Sequence, residues 1–78
     1  MKKEGEHMPL AMANTDVAYT IRKIGGKDET KRHIENLGFV EGAIVTVISE
    51  VNGSLIVNIK DSRVAIGKEL AMKITVAA

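Results

Sequence analysis

The chain has 78 residues, of which 45% are hydrophobic, and its 11 basic and 10 acidic residues give a formal net charge of +1. This length predicts a single domain, and the charge balance argues against a nucleic-acid-binding protein, which needs a basic face. No cysteine is present, so disulfides and thiolate metal sites are excluded. No apolar run approaches the about 20 residues of a membrane span. The charged start, MKKEGEH, does not resemble a signal peptide, and we expect a cytoplasmic protein that does not insert into the membrane.

The first eight residues are charged and carry no hydrophobic pattern. We interpret residues 1–8 as a disordered tail and residues 9–78 as the domain. Leu10 and Met12 are expected to cover an edge of the core. Residues 16–24, DVAYTIRKI, alternate and are rich in β-branched residues, which predicts a strand that ends at the Gly25-Gly26 pair.

Residues 28–37, DETKRHIENL, are predicted to form a short helix. Acidic residues occupy its first turn, where the helix dipole favours carboxylates. Ile34 and Leu37 lie on one face at helical spacing. Gly38 then fits the left-handed position that ends many helices.

The second half of the chain is predicted to be mostly strand. Asn52-Gly53 is a strong hairpin signal, because a type I′ turn needs positive φ at both central residues. A second turn is expected at Asp61-Ser62. The predicted strands are 43–51, 54–60, 63–66 and 73–76, with one helical turn within 67–72.

Five short strands and one helix predict a mostly β fold. An open sheet of this size would expose its edges, so we expect a small antiparallel barrel of about five strands, with the helix at one end. The predicted core consists of Val17, Ile21, Ile34, Leu37, Val45, Val47, Leu55, Val57, Ile59, Val64, Ile66, Ile74 and Val76. Four apolar residues fall off this register and are candidates for an outer patch or for burial under the N-terminal segment: Ile44, Ile48, Ile56 and Met72.

The segment LGFVEG has two compatible interpretations. In the structural one, Gly38 ends the helix, Phe39 anchors the loop and Glu41-Gly42 turns the chain into the next strand. In the functional one, the exposed rim binds a partner, and the candidate residues are Phe39, Val40, Glu41, Gly42 and Ile44.

Other site chemistry is sparse. Glu29 and His33 are four residues apart on the predicted helix and are the only candidate metal ligands, but no third ligand accompanies them, so no metal site and no cofactor are predicted. Gly25-Gly26 before a helix could cradle an anion, yet Asp28 and Glu29 would repel it, and a plain turn is favoured. No nucleophile, base and carboxylate set is evident, so we expect a protein that is not an enzyme.

The order of these segments resembles the FeoA family. The resemblance lies in LGFVEG followed by a hydrophobic strand, then VNGSLIVNI, then SRVAIGKELAMKITV, and it covers about residues 9–76. The matching positions are Leu37-Gly38, Gly42, Val45 with Val47, Val64 with Ile66, and Ala71 with Ile74 and Val76. The chain departs from the family pattern at Asp61-Ser62, where a glycine is common, and at Gly67, where an arginine is common.

This resemblance implies an SH3-like barrel. It also implies a non-enzymatic, cytoplasmic accessory protein of ferrous-iron uptake that binds the cytoplasmic region of a FeoB-type permease, which carries a GTP-binding domain. A monomer is expected. Because FeoA-like domains also occur in iron-dependent repressors, a regulatory or metal-sensing module acting on such a repressor is the alternative. A barrel that binds nucleic acid directly is a third reading, against which the charge balance counts.

Overall fold

The computed structural model describes residues 7–78. It contains six strands, two helices and one 3₁₀ turn. The strands are β1 (His7–Pro9), β2 (Ala18–Ile24), β3 (Ile44–Val51), β4 (Ser54–Ile59), β5 (Ser62–Gly67) and β6 (Ile74–Ala77). The helices are α1 (Asp28–Asn36) and the single turn α2 (Lys68–Ala71), and the 3₁₀ turn is Leu10–Met12.

The six strands form one antiparallel sheet in the order β1-β6-β2-β3-β4-β5. Both edges therefore belong to strands that pair on one side only within residues 7–78. The helix α2 packs against β5 and against the 3₁₀ turn that follows β1. The prediction of a small, mostly β, antiparallel fold with one short helix is confirmed.

The sixth strand, β1, corrects the predicted boundary between tail and domain. His7 and Met8 were assigned to the tail, but they pair with Ala77 and Val76 of β6. The three described residues of β1 show no periodicity of their own, and their register comes from β6, about 70 residues away in the sequence. The rest of the predicted tail, residues 1–6, lies outside the described residues.

The core agrees with the predicted one at most positions. Ten of the thirteen predicted residues are buried, and Leu37 and Val64 are partly buried against the same cluster. Val17 is 38% exposed, so its assignment to the core was wrong. It lies between Asp16, which has a φ of 61°, and the first residue of β2, and therefore precedes the alternation of that strand. Six residues outside the predicted core are also buried: Leu10, Tyr19, Ile24, Phe39, Ala71 and Ala77.

A register shift in β2 explains the burial of Ile24. Ile21 pairs with Val76, but Lys23 pairs with Thr75, so one residue of β2 is extra between them. Such a bulge inverts the side-chain alternation. Ile24 is consequently brought to the same side as Ile21, whereas strict alternation had placed it on the opposite side.

Two tight hairpins join β3, β4 and β5. Asn52 and Gly53 have φ angles of 46° and 81°, the positive values that a type I′ turn needs. The second turn uses Lys60 and Asp61, with φ angles of 50° and 64°, and is flanked by the pair Ile59 and Ser62. The turn predicted at Asp61-Ser62 is therefore placed one residue too late. None of the helices within residues 7–78 is long and apolar enough to cross a membrane.

Candidate functional site

The candidate site is the loop between α1 and β3, residues 37–43, together with Ile44, the first residue of β3, and the first half of this loop is fixed by the end of the helix. The Gly38 amide donates to the Glu35 carbonyl at 2.9 Å, and the Phe39 amide donates to the Ile34 carbonyl at 3.3 Å. With Gly38 at a φ of +106°, this is the Schellman motif. Ile34 and Phe39 are both fully buried in the core cluster, so their side chains anchor the helix end and the loop to the core.

The second half of the loop is a β-turn joined to a distant strand. The Ala43 amide donates to the Val40 carbonyl at 3.1 Å, and Gly42 has a φ of +91°, which is the angle required at the third position of a type II turn. The Gly42 amide also donates to the Ile21 carbonyl at 2.8 Å, and the Ile21 amide donates to the Ala43 carbonyl at 2.9 Å. The loop is therefore hydrogen-bonded at both ends and at its centre.

This frame presents a small surface to solvent. Glu41 and Gly42 are exposed at the turn, Val40 is half-buried, and Ile44 is 54% exposed at the start of β3. Phe39 is 0% exposed, so its side chain does not reach the surface as a partner-binding residue would. The sequence-based candidates thus divide into one buried anchor and a rim formed by Val40, Glu41, Gly42 and Ile44, which we call the loop rim.

A shallow depression of about 320 Å³ adjoins the loop rim. It extends from Ala43 and Ile44 onto the outer face of β3 and β4, and its far side is the Lys60-Asp61 turn. This depression has no signal in the sequence, because it depends on the pairing of Thr46 with Asn58 across two strands. Its lining is Ala43, Ile44, Thr46, Asn58, Lys60 and Asp61.

The candidate metal ligands Glu29 and His33 both lie exposed on α1. Among residues 7–78, no group of three or more His, Asp or Glu side chains is arranged to hold a metal ion. At the Gly25-Gly26 turn, Lys73 takes the place that an anion would need. The Gly25 amide donates to the Lys73 carbonyl at 2.7 Å, and Cδ of Lys73 lies 3.2 Å from the position of a Cβ at Gly26.

The four residues that were candidates for an outer patch are not equivalent. Ile44 and Met72 are 54% and 53% exposed, whereas Ile48 and Ile56 are half-buried. Ile48 lies at the register shift of β3, next to the pair formed by Ser49 and Ile56. Met72 lies outside the sheet, between α2 and β6. Of these four, Ile44 alone belongs to the loop rim.

Comparisons with known proteins agree with one another. The model of the FeoA domain matches residues 8–78. A protein of Methanocaldococcus jannaschii named as an Fe(2+) transport protein A is 35% identical over 68 residues, which cover 87% of this chain and 83% of the relative. The crystal structure of an iron uptake regulatory protein (FeoA) superposes with a TM-score of 0.85 at 25% identity, over 91% of this chain and 95% of that one.

More distant structures share the fold. Stenotrophomonas maltophilia FeoA complexed with zinc, described as a procaryotic SH3 domain protein, has a TM-score of 0.73 at 21% identity, over 88% of each chain. A manganese-dependent transcriptional repressor has a TM-score of 0.85 at 19% identity, over 97% of this chain but 44% of the repressor. The fold is therefore SH3-like, and with the family model matching nearly its whole length, this chain belongs to the FeoA family.

Proposed function

We propose that this chain is a non-enzymatic, cytoplasmic accessory protein of ferrous-iron uptake. In this proposal it binds the soluble, GTP-binding region of a FeoB-type permease, as a monomer at low concentration, and modulates uptake. Membership of the FeoA family and the relative named for Fe(2+) transport support the assignment to iron uptake. The alternative, a regulatory or metal-sensing module acting on an iron-dependent repressor, has only a likeness of fold in its favour, because the manganese-dependent repressor is 19% identical to this chain.

The proposed docking surface is the loop rim, because its side chains are exposed while hydrogen bonds fix its backbone. Ile44 is a large apolar side chain with 54% of its surface in solvent, and Glu41 beside it is exposed. The hydrogen bonds of Gly42 and Ala43 hold both in place. Little conformational entropy would therefore be lost when a partner covers them, and such preorganisation favours binding.

The docking surface is tested by comparing substitutions at the two ends of β3. Ile44 and Val51 begin and end β3, are 54% and 52% exposed, and lie about 23 Å apart at about 3.3 Å per residue. The soluble region of a cognate permease is titrated into ¹⁵N-labelled protein. We expect amide shifts centred on residues 40–44, loss of binding in Ile44→Lys and unchanged binding in the matched control Val51→Lys.

A second titration uses ferrous iron under anaerobic conditions. Shifts confined to Glu29 and His33 with iron alone, and none with the permease region, would replace the proposal with a metal-sensing function. Equal loss of binding in Ile44→Lys and Val51→Lys would remove the loop rim as the docking surface. No shifts with the permease region at concentrations up to about 1 mM, the affinity range of weak complexes, would refute docking on that region.

A further inference from the structure

The strand β5 is an exposed sheet edge. It pairs with β4 on one side, and no strand among residues 7–78 pairs with its other side. It has six residues and no proline. The opposite edge, β1, is different because it contains Pro9, which lacks an amide donor. Long unpaired edges are templates for another strand, so β5 is the edge on which strand addition can occur.

The register shows which groups of β5 point away from the sheet. The two-residue turn at Lys60 and Asp61 makes Ile59 and Ser62 a hydrogen-bonded pair, and such pairs recur at every second residue. Val64 and Ile66 therefore also bond to β4, and the Lys68 amide continues the series by donating to Gly53 at 3.0 Å. The amides and carbonyls of Arg63, Ala65 and Gly67 point outward, and these three residues are exposed.

We propose that β5 pairs with β5 of a second copy of this chain, antiparallel and with the two-fold axis at Ala65. In this register Ala65 meets Ala65 of the second copy. Arg63 meets Gly67 of the second copy, and Gly67 meets Arg63. Every outward amide of one strand then donates to an outward carbonyl of the other, so the pairing leaves no outward group of these three residues unsatisfied.

The side chains of β5 fit this pairing on both faces of the sheet. On the outer face, the guanidinium of Arg63 lies opposite Gly67 of the second copy, where nothing lies within 4 Å of the position of a Cβ. On the inner face, the half-buried Val64 lies opposite Ile66 of the second copy, which is buried in the core of that copy, so no charged side chain of β5 lies at this face of the pairing. No two like charges within β5 are placed directly opposite each other.

This dimer is weak, because one strand pair buries less surface than the about 1,200 Å² of a stable interface. The expected monomer is therefore the main species in dilute solution, and the dimer forms as the concentration rises. The surface is distinct from the loop rim: β5 is the edge strand two places from β3. The inference does not depend on permease binding, so either proposal can fail alone.

The test measures the mass of the full chain by sedimentation equilibrium from about 10 μM to about 1 mM, the range in which small interfaces associate. The variant Ala65→Pro removes an outward amide and leaves the β4–β5 hydrogen bonds intact. We expect it to raise the Kd about tenfold or more, since two of the central hydrogen bonds are lost. Ala65→Ser keeps the amide and a small side chain, and is the control that should dimerise like the parent.

Concentration-dependent amide shifts locate the interface. We expect them at Arg63, Ala65 and Gly67. If Ala65→Pro does not fold, Ala65→Lys takes its place, because it sets like charges opposite each other. A constant monomer mass up to about 1 mM, shifts centred elsewhere, or undiminished dimerisation of the variant would overturn the proposal. Shifts of the β5 amides that arise only with the permease region would make β5 a site for a partner's strand instead.

Discussion

At the scale of single residues, the Lys60-Asp61 turn stores backbone strain. Both residues have positive φ angles, 50° and 64°, although neither is glycine. Left-handed conformations cost an L-residue about 1–2 kcal/mol, and less for aspartate, which tolerates them better. We expect Asp61→Gly to raise the free energy of unfolding by about 0.5–1 kcal/mol, measured by urea denaturation.

The other hairpin supplies the control for Asp61→Gly. Gly53 has a φ of +81°, and nothing lies within 4 Å of the position of its Cβ. Gly53→Ala therefore meets no steric clash with the rest of the fold, and we expect it to lower the free energy of unfolding by about 1 kcal/mol through backbone strain alone. If Asp61→Gly destabilises the protein, the turn is held by the Asp61 side chain and the conformational argument fails.

Single residues also show where sequence reasoning about the core stops. A period of two correctly brought Ile21, Val45 and Val57 inside, because strand residues alternate strictly where the ladder is regular. It misplaced Ile24, since the extra residue between Ile21 and Lys23 depends on the pairing with β6. No local pattern in the chain marks that bulge.

At the scale of elements, α1 begins without a side-chain cap. Lys27 occupies the N-cap position with extended backbone angles, φ −76° and ψ 164°, but its side chain makes no capping hydrogen bond. Serine at this position accepts a hydrogen bond from an amide of the first turn. We expect Lys27→Ser to raise the free energy of unfolding by about 0.5–1 kcal/mol relative to Lys27→Ala, which removes the same charge without adding a cap. Equal stability of the two variants in urea would show that the helix start is not limiting.

Elements that are marked by residues within them could be predicted from the sequence. Elements that depend on pairing with a distant segment of the chain could not. The end of α1 was predicted within one residue because Gly38 has its own conformational signature. The strand β1 was missed because β6 alone defines it. The loop rim lies between these cases: a turn at Glu41-Gly42 could be predicted from composition, but the hydrogen bonds that tie it to Ile21 could not.

At the scale of the whole molecule, the burial of apolar side chains contributes more to the free energy of unfolding than surface charge pairs do. Phe39 is the largest fully buried side chain of the described residues, and it connects the helix end to the core. We expect Phe39→Ala to lower the free energy of unfolding by about 3–5 kcal/mol, a large part of the about 5–15 kcal/mol that holds a domain together. A loss below about 1 kcal/mol in urea denaturation would mean that the core collapses to fill the cavity.

The ion pair between Lys68 and Glu50 contributes far less to the free energy of unfolding than the buried Phe39 side chain does. The Nζ and Oε2 atoms are 2.6 Å apart, but each side chain is 47% exposed, so solvent screens the attraction. Such pairs contribute about 0.2–1 kcal/mol. We therefore expect Glu50→Gln to lower the free energy of unfolding by less than about 1 kcal/mol at low salt and by almost nothing in about 1 M NaCl, where the Debye length is about 3 Å. A loss that exceeds this value and persists in high salt would show that the carboxylate acts through more than charge, by fixing α2 to the end of β3. Since the Lys68 amide already binds the Gly53 carbonyl at 3.0 Å, that attachment does not require the ion pair, and the small value is the one that the geometry supports.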